Sequence, residues 1–387
     1  MKHPGMIWFG VLTCLFTVKI ASAASVINAV ALPSTEGSVA GAAFSPDSSR
    51  LAIMRNVVVP GSSSPRHVMQ IVELRSRQEV AHADVLSAEP TDLATNVHMI
   101  AYSPDGRYLL LATKGSDVLS IIDATTLQPV NRIALHPEAE SRTSLGQGHR
   151  YFRGVVSLAS SATGDVFGVL THDELQGNEA FVGSFSSRQI IKGWSLGKGR
   201  TATQLGQTSL SLSEDGSRTA ISVLPDQNSL PKGFNNLRLY NSSSGEMIKS
   251  IRTDGLVGQI MLLSGENILA SRIDTPGLFS KKTCIEKWSF SSGILDRQFC
   301  DKGYTVSAAL AASVTAGRVV GFASQIHKSI EGQVYAASGR VDVWDIKSGS
   351  LIASSADVPH FVSSLQVSSS GEWVMADQTL FQVSTSP

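Results

Sequence analysis

The chain has 387 residues, 17% of them charged and 6% aromatic, with 32 basic side chains against 32 acidic ones. That balance leaves no basic footprint for nucleic acid, and the mix of serine, glycine and scattered apolar residues fits neither a coiled coil nor a disordered chain. Beyond the N-terminus, no apolar run is long enough to cross a bilayer.

The first segment reads as a secretory leader. Lys2 and His3 give a basic start, Met6 to Val18 an apolar run, and Ala21-Ser22-Ala23 a small-residue cleavage site. Cleavage after Ala23 is expected, which makes the mature chain secreted or periplasmic. Cys14 follows Leu-Thr inside the apolar run, a poor context for lipid attachment. Ser25 to Leu32 (SVINAVAL) then reads as a lone strand.

From Ala40 onward one unit occurs seven times: an apolar strand, a tight turn and a second apolar strand. The copies are AGAAF-SPDSS-RLAI from Ala40, HMIAY-SPDG-RYLLLA from His98, VVSLA-SSATG-DVFGVL from Val155 and TSLSL-SEDG-SRTAISV from Thr208. GQIMLL-SG-ENILA from Gly258, AALAA-SVTAG-RVVGF from Ala308 and SSLQV-SSSG-EWVMA from Ser363 complete the set. The turn column is Ser48, Gly106, Gly164, Gly216, Gly265, Gly317 and Gly371, at steps of 49 to 58 residues. Glycine is expected there because the last turn residue takes positive φ, which strains a residue with a Cβ. Pro46 and Pro104 preset φ earlier in the turn.

A second turn follows each of the first six. Before it stands a short polar column, Glu73, Asp123, Ser184, Asn241, Ser289 and Asp345, able to bond the turn's own backbone. One position earlier, Val72, Ile122, Gly183, Tyr240, Trp288 and Trp344 are mostly large and apolar, as an inward-facing strand column should be. Each unit is therefore four strands, A to D.

A period near 50 with four strands per unit reads as a β-propeller blade. The chain resembles the WD-repeat and YVTN-type propellers, on its SPDG turns and on Trp344-Asp345 at the end of a C strand. The resemblance spans nearly all of the mature chain and implies a scaffold rather than an activity. The last unit, from Phe361, has only three strands, so Ser25 to Leu32 is expected to supply its fourth and close the ring. The expectation is an all-β, seven-bladed propeller of four-stranded antiparallel blades, one domain over 24–387. Its long segments fall between B and C or between D and the next A, hence on one face of the disc.

Cys284 and Cys300 lie equally far from Ser292, so an antiparallel C–D hairpin sets them opposite each other as a disulfide. His172 and Asp173 open a B–C loop, and Asp226, Asp274 and His327 hold comparable places in later blades. With His149, Arg150 and Arg153 ahead of the third blade, they are the candidates for a binding site at the channel mouth; the alternative is a ring of solvated loop charges. Leu278, Phe279 and Val57 to Val59 put apolar residues in loops and are expected to fold back onto the disc. No Asp-rich calcium loop, H-E-x-x-H, nucleotide Gly-rich loop, G-x-S-x-G or C-x-x-C-H is present, so neither metal nor other cofactor is assigned.

Two functions stay open. The favoured one is an exported, non-catalytic, monomeric scaffold that binds a protein or small polar ligand through its long-loop face, with no nucleic-acid partner and no membrane span. The alternative is a propeller enzyme working at the channel mouth, a lactonase-like hydrolase or a subunit of an exported dehydrogenase.

Overall fold

The computed structural model describes residues 25–33, 36–62, 65–85, 98–113, 116–136, 153–173, 177–197, 209–223, 232–253, 255–272, 284–300, 305–328, 334–358 and 362–384. The segment expected to be a leader, with its expected cleavage site, lies outside them. Blade 1 is β2 (Ser38–Phe44), β3 (Arg50–Val57), β4 (Arg66–Glu73) and β5 (Gln78–Asp84). Blade 2 is β6 (His98–Tyr102), β7 (Tyr108–Thr113), β8 (Val118–Asp123) and β9 (Pro129–Ala134). Blade 3 is β10 (Arg153–Ser160), β11 (Val166–Asp173), β12 (Gly177–Ser184) and β13 (Gln189–Gly197). Blade 4 is β14 (Leu210–Leu212), β15 (Arg218–Ser222), β16 (Leu237–Asn241) and β17 (Met247–Ile251). Blade 5 is β18 (Val257–Leu262), β19 (Asn267–Arg272), β20 (Ile285–Ser289) and β21 (Leu295–Phe299). Blade 6 is β22 (Thr305–Ser313), β23 (Arg318–Lys328), β24 (Val334–Asp345) and β25 (Leu351–Ser355).

Blade 7 is β26 (Leu365–Val367), β27 (Trp373–Ala376), β28 (Thr379–Val383) and, from the other end of the chain, β1 (Ser25–Val30). β1 runs antiparallel to β28, with Ile27 opposite Val383 and Val30 opposite Leu380. The N-terminal segment thus completes the last blade, as its isolated position in the sequence implies. It does one thing more. β1 also pairs in parallel with β25, Ser25 opposite Ala353 and Ile27 opposite Ser355, so blades 6 and 7 share one eight-stranded sheet. Both edges of the closing strand are therefore used.

The innermost strands β2, β6, β10, β14, β18, β22 and β26 contact one another in that order, and β26 returns to β2. The apolar faces of neighbouring blades meet in one hydrophobic cluster per seam. Ile100, Tyr102 and Leu111 of blade 2 pack on Met54, Met69 and Ile71 of blade 1. At the closing seam, Val30, Trp373 and Leu380 pack on Leu51, Ile53 and Val72. Residues on β3, β7 and β11 are buried on both faces because a blade lies on either side of them.

The second-turn columns behave as their chemistry requires. Asp123 Oδ1 accepts from the backbone N–H groups of Thr125 and Thr126 (2.9 and 2.8 Å), and Asn241 Oδ1 from those of Ser243 and Ser244 (both 3.0 Å). Val72, Ile122, Tyr240, Trp288 and Trp344 are all buried. The first-turn column is less uniform than expected. Ser48, Gly106, Gly216, Gly317 and Gly371 take positive φ, whereas in blade 5 that conformation falls on Glu266. Gly164 does not take positive φ; a Cβ there would lie 2.1 Å from the Asp215 carbonyl oxygen. Its glycine answers to the close approach of the next blade's turn. Ala162 N and Thr163 N donate to Glu214 O across that contact (3.0 and 2.8 Å). The ring closes by similar bonds, Ser370 N to Ser48 Oγ (2.9 Å) and Ser313 Oγ to Ser369 O (2.6 Å).

Candidate functional site on the long-loop face

A channel of about 1290 Å³ runs through the ring, walled by the innermost strands and their turns. Among the described residues its lining includes two carboxylates, Glu214 at the turn face and Asp377 at the long-loop face, and no Lys, Arg or His. Much of its polarity is already engaged. Leu210 N donates to Ser157 Oγ (3.1 Å), Ile260 N to Ser209 Oγ (3.0 Å), Leu262 N to Ser211 Oγ (2.9 Å) and Leu310 N to Gln259 Oε1 (2.8 Å). Each bond satisfies an amide on the open edge of one innermost strand with a side chain from the preceding blade. Asp377 is likewise engaged, accepting from Ser364 N (2.8 Å) and Ser363 Oγ (3.0 Å).

Outside the channel, the long-loop face is built on strand ends braced by polar pairs. In blade 1, His67 Nδ1 bonds Asn56 Oδ1 (2.7 Å) and Arg66 lies 3.6 Å from Asp84. Burial pushes the His67 imidazole below its ordinary range. The loop between these strand ends carries Val58, 82% exposed, and Val59, 37% exposed. These valines do not fold back onto the disc as expected: β3 ends at Val57, and the two that follow it stay exposed. In blade 5, Glu286 is buried and engaged three times, by Arg272 Nη2 (2.7 Å), Gln298 Nε2 (3.1 Å) and Trp288 Nε1 (3.0 Å). A buried carboxylate needs such a set of donors. Close by, Cys284 and Cys300 form the disulfide, Cα atoms 4.9 Å apart.

Of the residues proposed from sequence, His172 and Asp173 end β11. His172 is buried, with Nδ1 3.2 Å from Asn178 Oδ1, and Asp173 is the register partner of Arg153 on β10. His327 lies on β23 of blade 6, opposite Tyr335. Neither His172 nor Asp173 lines the channel. His149, Arg150, Asp226 and Asp274 lie outside the described residues, as do Leu278 and Phe279. Among the described residues, no group of three or more His, Cys, Asp or Glu side chains is arranged to hold a metal ion. No described helix is long and apolar enough to cross a membrane.

Sequence reasoning missed His136. Its Nδ1 lies 3.0 Å from Asp117 Oδ1 and its Nε2 2.5 Å from Glu179 Oε2. The partners stand 19 and 43 residues away, so no local motif marks them. The channel clips were also missed, although their separations of 51 to 53 residues follow the repeat step and an alignment of A strands would show them.

No protein-family profile matches the chain, and no curated protein matches it. Solved structures do. The structure of U3-55K is similar over 93% of this chain and 99% of its own, with a TM-score of 0.60 at 14% sequence identity. At that identity the likeness speaks for architecture alone, and it agrees with the blades and ring closure described above: the chain has a WD-repeat-like β-propeller fold.

Proposed function

We propose that the chain is an exported, non-catalytic scaffold that holds a protein partner on its long-loop face. The observation that carries this reading is the Val58–Val59 step. A valine left 82% exposed on a loop otherwise rimmed by Arg66, Asp84 and His67 makes an apolar centre with a polar border, the pattern of a protein contact patch. The channel supports the non-catalytic half of the reading, because Ser157, Ser209 and Ser211 on its wall already hold backbone amides.

The test is site-specific photocrosslinking of the full chain in its native envelope. One variant carries the crosslinker at position 58; the other carries it at Arg75, exposed on the opposite face. Adducts of discrete mass from position 58 and none from position 75 are expected. Equal labelling from both faces would overturn the reading, as would turnover of a lactone by the purified chain.

A further inference from the structure

We infer that His136 is a doubly protonated latch across the seam between blades 2 and 3, so that proton binding at this one ring fastens the two blades together. Asp117 comes from the loop between β7 and β8, His136 follows β9, and Glu179 is on β12 of the next blade. The His136 side chain is 15% exposed and each carboxylate 27%. Among the described residues, the charged groups facing the ring are these two carboxylates. A further side meets Phe181 of β12, at 5.3 Å between centroids and edge-on at 83°.

The charge state follows from the geometry. An ionised carboxylate only accepts hydrogen bonds, so a ring nitrogen 2.5 or 3.0 Å from one must carry a proton. With a carboxylate at each nitrogen, the ring is an imidazolium. A neutral ring would turn a lone pair toward one carboxylate oxygen, replacing attraction with repulsion. The backbone keeps Asp117 in place, since Leu135 N donates to Asp117 O (2.9 Å). The unit is therefore one cation held between anions from two blades, largely out of water, unlike an exposed surface pair of little net value.

The direction of the pH dependence follows. An unconstrained histidine loses its proton near pH 6.5, and the two carboxylates make the folded chain hold that proton more tightly. The latch contributes fully below about pH 6.5 and is lost as the pH rises through the higher folded value.

The experiment is urea unfolding of the full chain and of His136→Gln between pH 6 and pH 9, with imidazole ¹⁵N NMR on the wild type. A one-unit tightening of proton binding corresponds to about tenfold in the unfolding constant. The gap between wild type and variant is therefore expected to shrink by about tenfold or more over that range, with both His136 nitrogens protonated at pH 7. Asp117→Asn combined with Glu179→Gln keeps the shape and removes both anions; in it the ring should titrate at lower pH than in the wild type. A pH-independent gap, a singly protonated ring at pH 6, or unchanged titration in the double variant would each overturn the inference. If His136→Gln fails to fold, the NMR titrations of the wild type and the double variant still decide it.

Discussion

Deleting the closing strand, residues 25–30, should open the ring at blade 7 before any other seam yields. Ile27 is 2% exposed and packs toward blade 6, while Val30, 9% exposed, packs toward blade 1. Burying two such side chains is worth about 3–6 kcal/mol, before the backbone pairing of four residues with β28 and three with β25 is counted. A domain stable by only about 5–15 kcal/mol is brought close to unfolding by that loss. Ile27→Ala alone should cost about 2–5 kcal/mol, and Asn28→Ala, exposed on the same strand, close to nothing. Trp373, buried in the seam with Val30, offers a local fluorescence reporter. In urea, the truncated chain should show a Trp373 transition ahead of the main one, with amide protection lost first over Leu380–Val383. Equal midpoints for wild type, Ile27→Ala and Asn28→Ala, or full protection of β28 in the truncated chain, would refute the reasoning.

Three further outcomes are expected. Replacing both Cys284 and Cys300 with serine should lower stability by about 3 kcal/mol, and reductant should lower the denaturation midpoint of the wild type but not of the variant. Gly164→Ala should cost about 1–3 kcal/mol through crowding against the Asp215 carbonyl; a denaturation midpoint equal to wild type would show that the two turns can part freely. The Ser213 hydroxyl, with Ser217, holds the Asp215 carboxyl down to about 2. Its stabilising contribution is present above the ordinary value of 3.8 and lost as pH falls through about 2. In Ser213→Ala the carboxyl should titrate at higher pH by ¹³C NMR and acid unfolding should begin earlier; an unmoved titration would exclude the serine as the cause.

Much of the architecture was legible because its causes are local. A tight turn between two apolar strands announces itself in a few residues, whether at Ser103–Gly106 or at Ser213–Gly216. The cysteine pairing was legible for the same reason, since one hairpin sets its register: Ile285 faces Phe299, so the next residues outward are Cys284 and Cys300. The parallel pairing of β1 with β25 was not legible, because nothing in SVINAVAL reveals which second edge it meets. The candidate site was least legible. Charges in loops can be counted, but whether His172 turns toward ligand or toward Asn178 depends on the hairpin that follows it. Val58 and Val59 misled in the opposite direction, because apolar character alone does not say whether a loop residue is covered.

The channel clips join these two kinds of residue. A bond from Ser209 to Ile260, or from Gln259 to Leu310, links positions 51 residues apart, so it is remote in sequence yet regular in the repeat. Such a bond needs only that one blade's inner strand place a hydroxyl or amide where the next blade's strand exposes an N–H. Strand β14 does this twice, with Ser209 just ahead of it and Ser211 within it, whereas Ala40–Phe44 of blade 1 offers no such side chain. Ser157, Ser209 and Ser211 are thus accounted for as partners of backbone amides in the next blade.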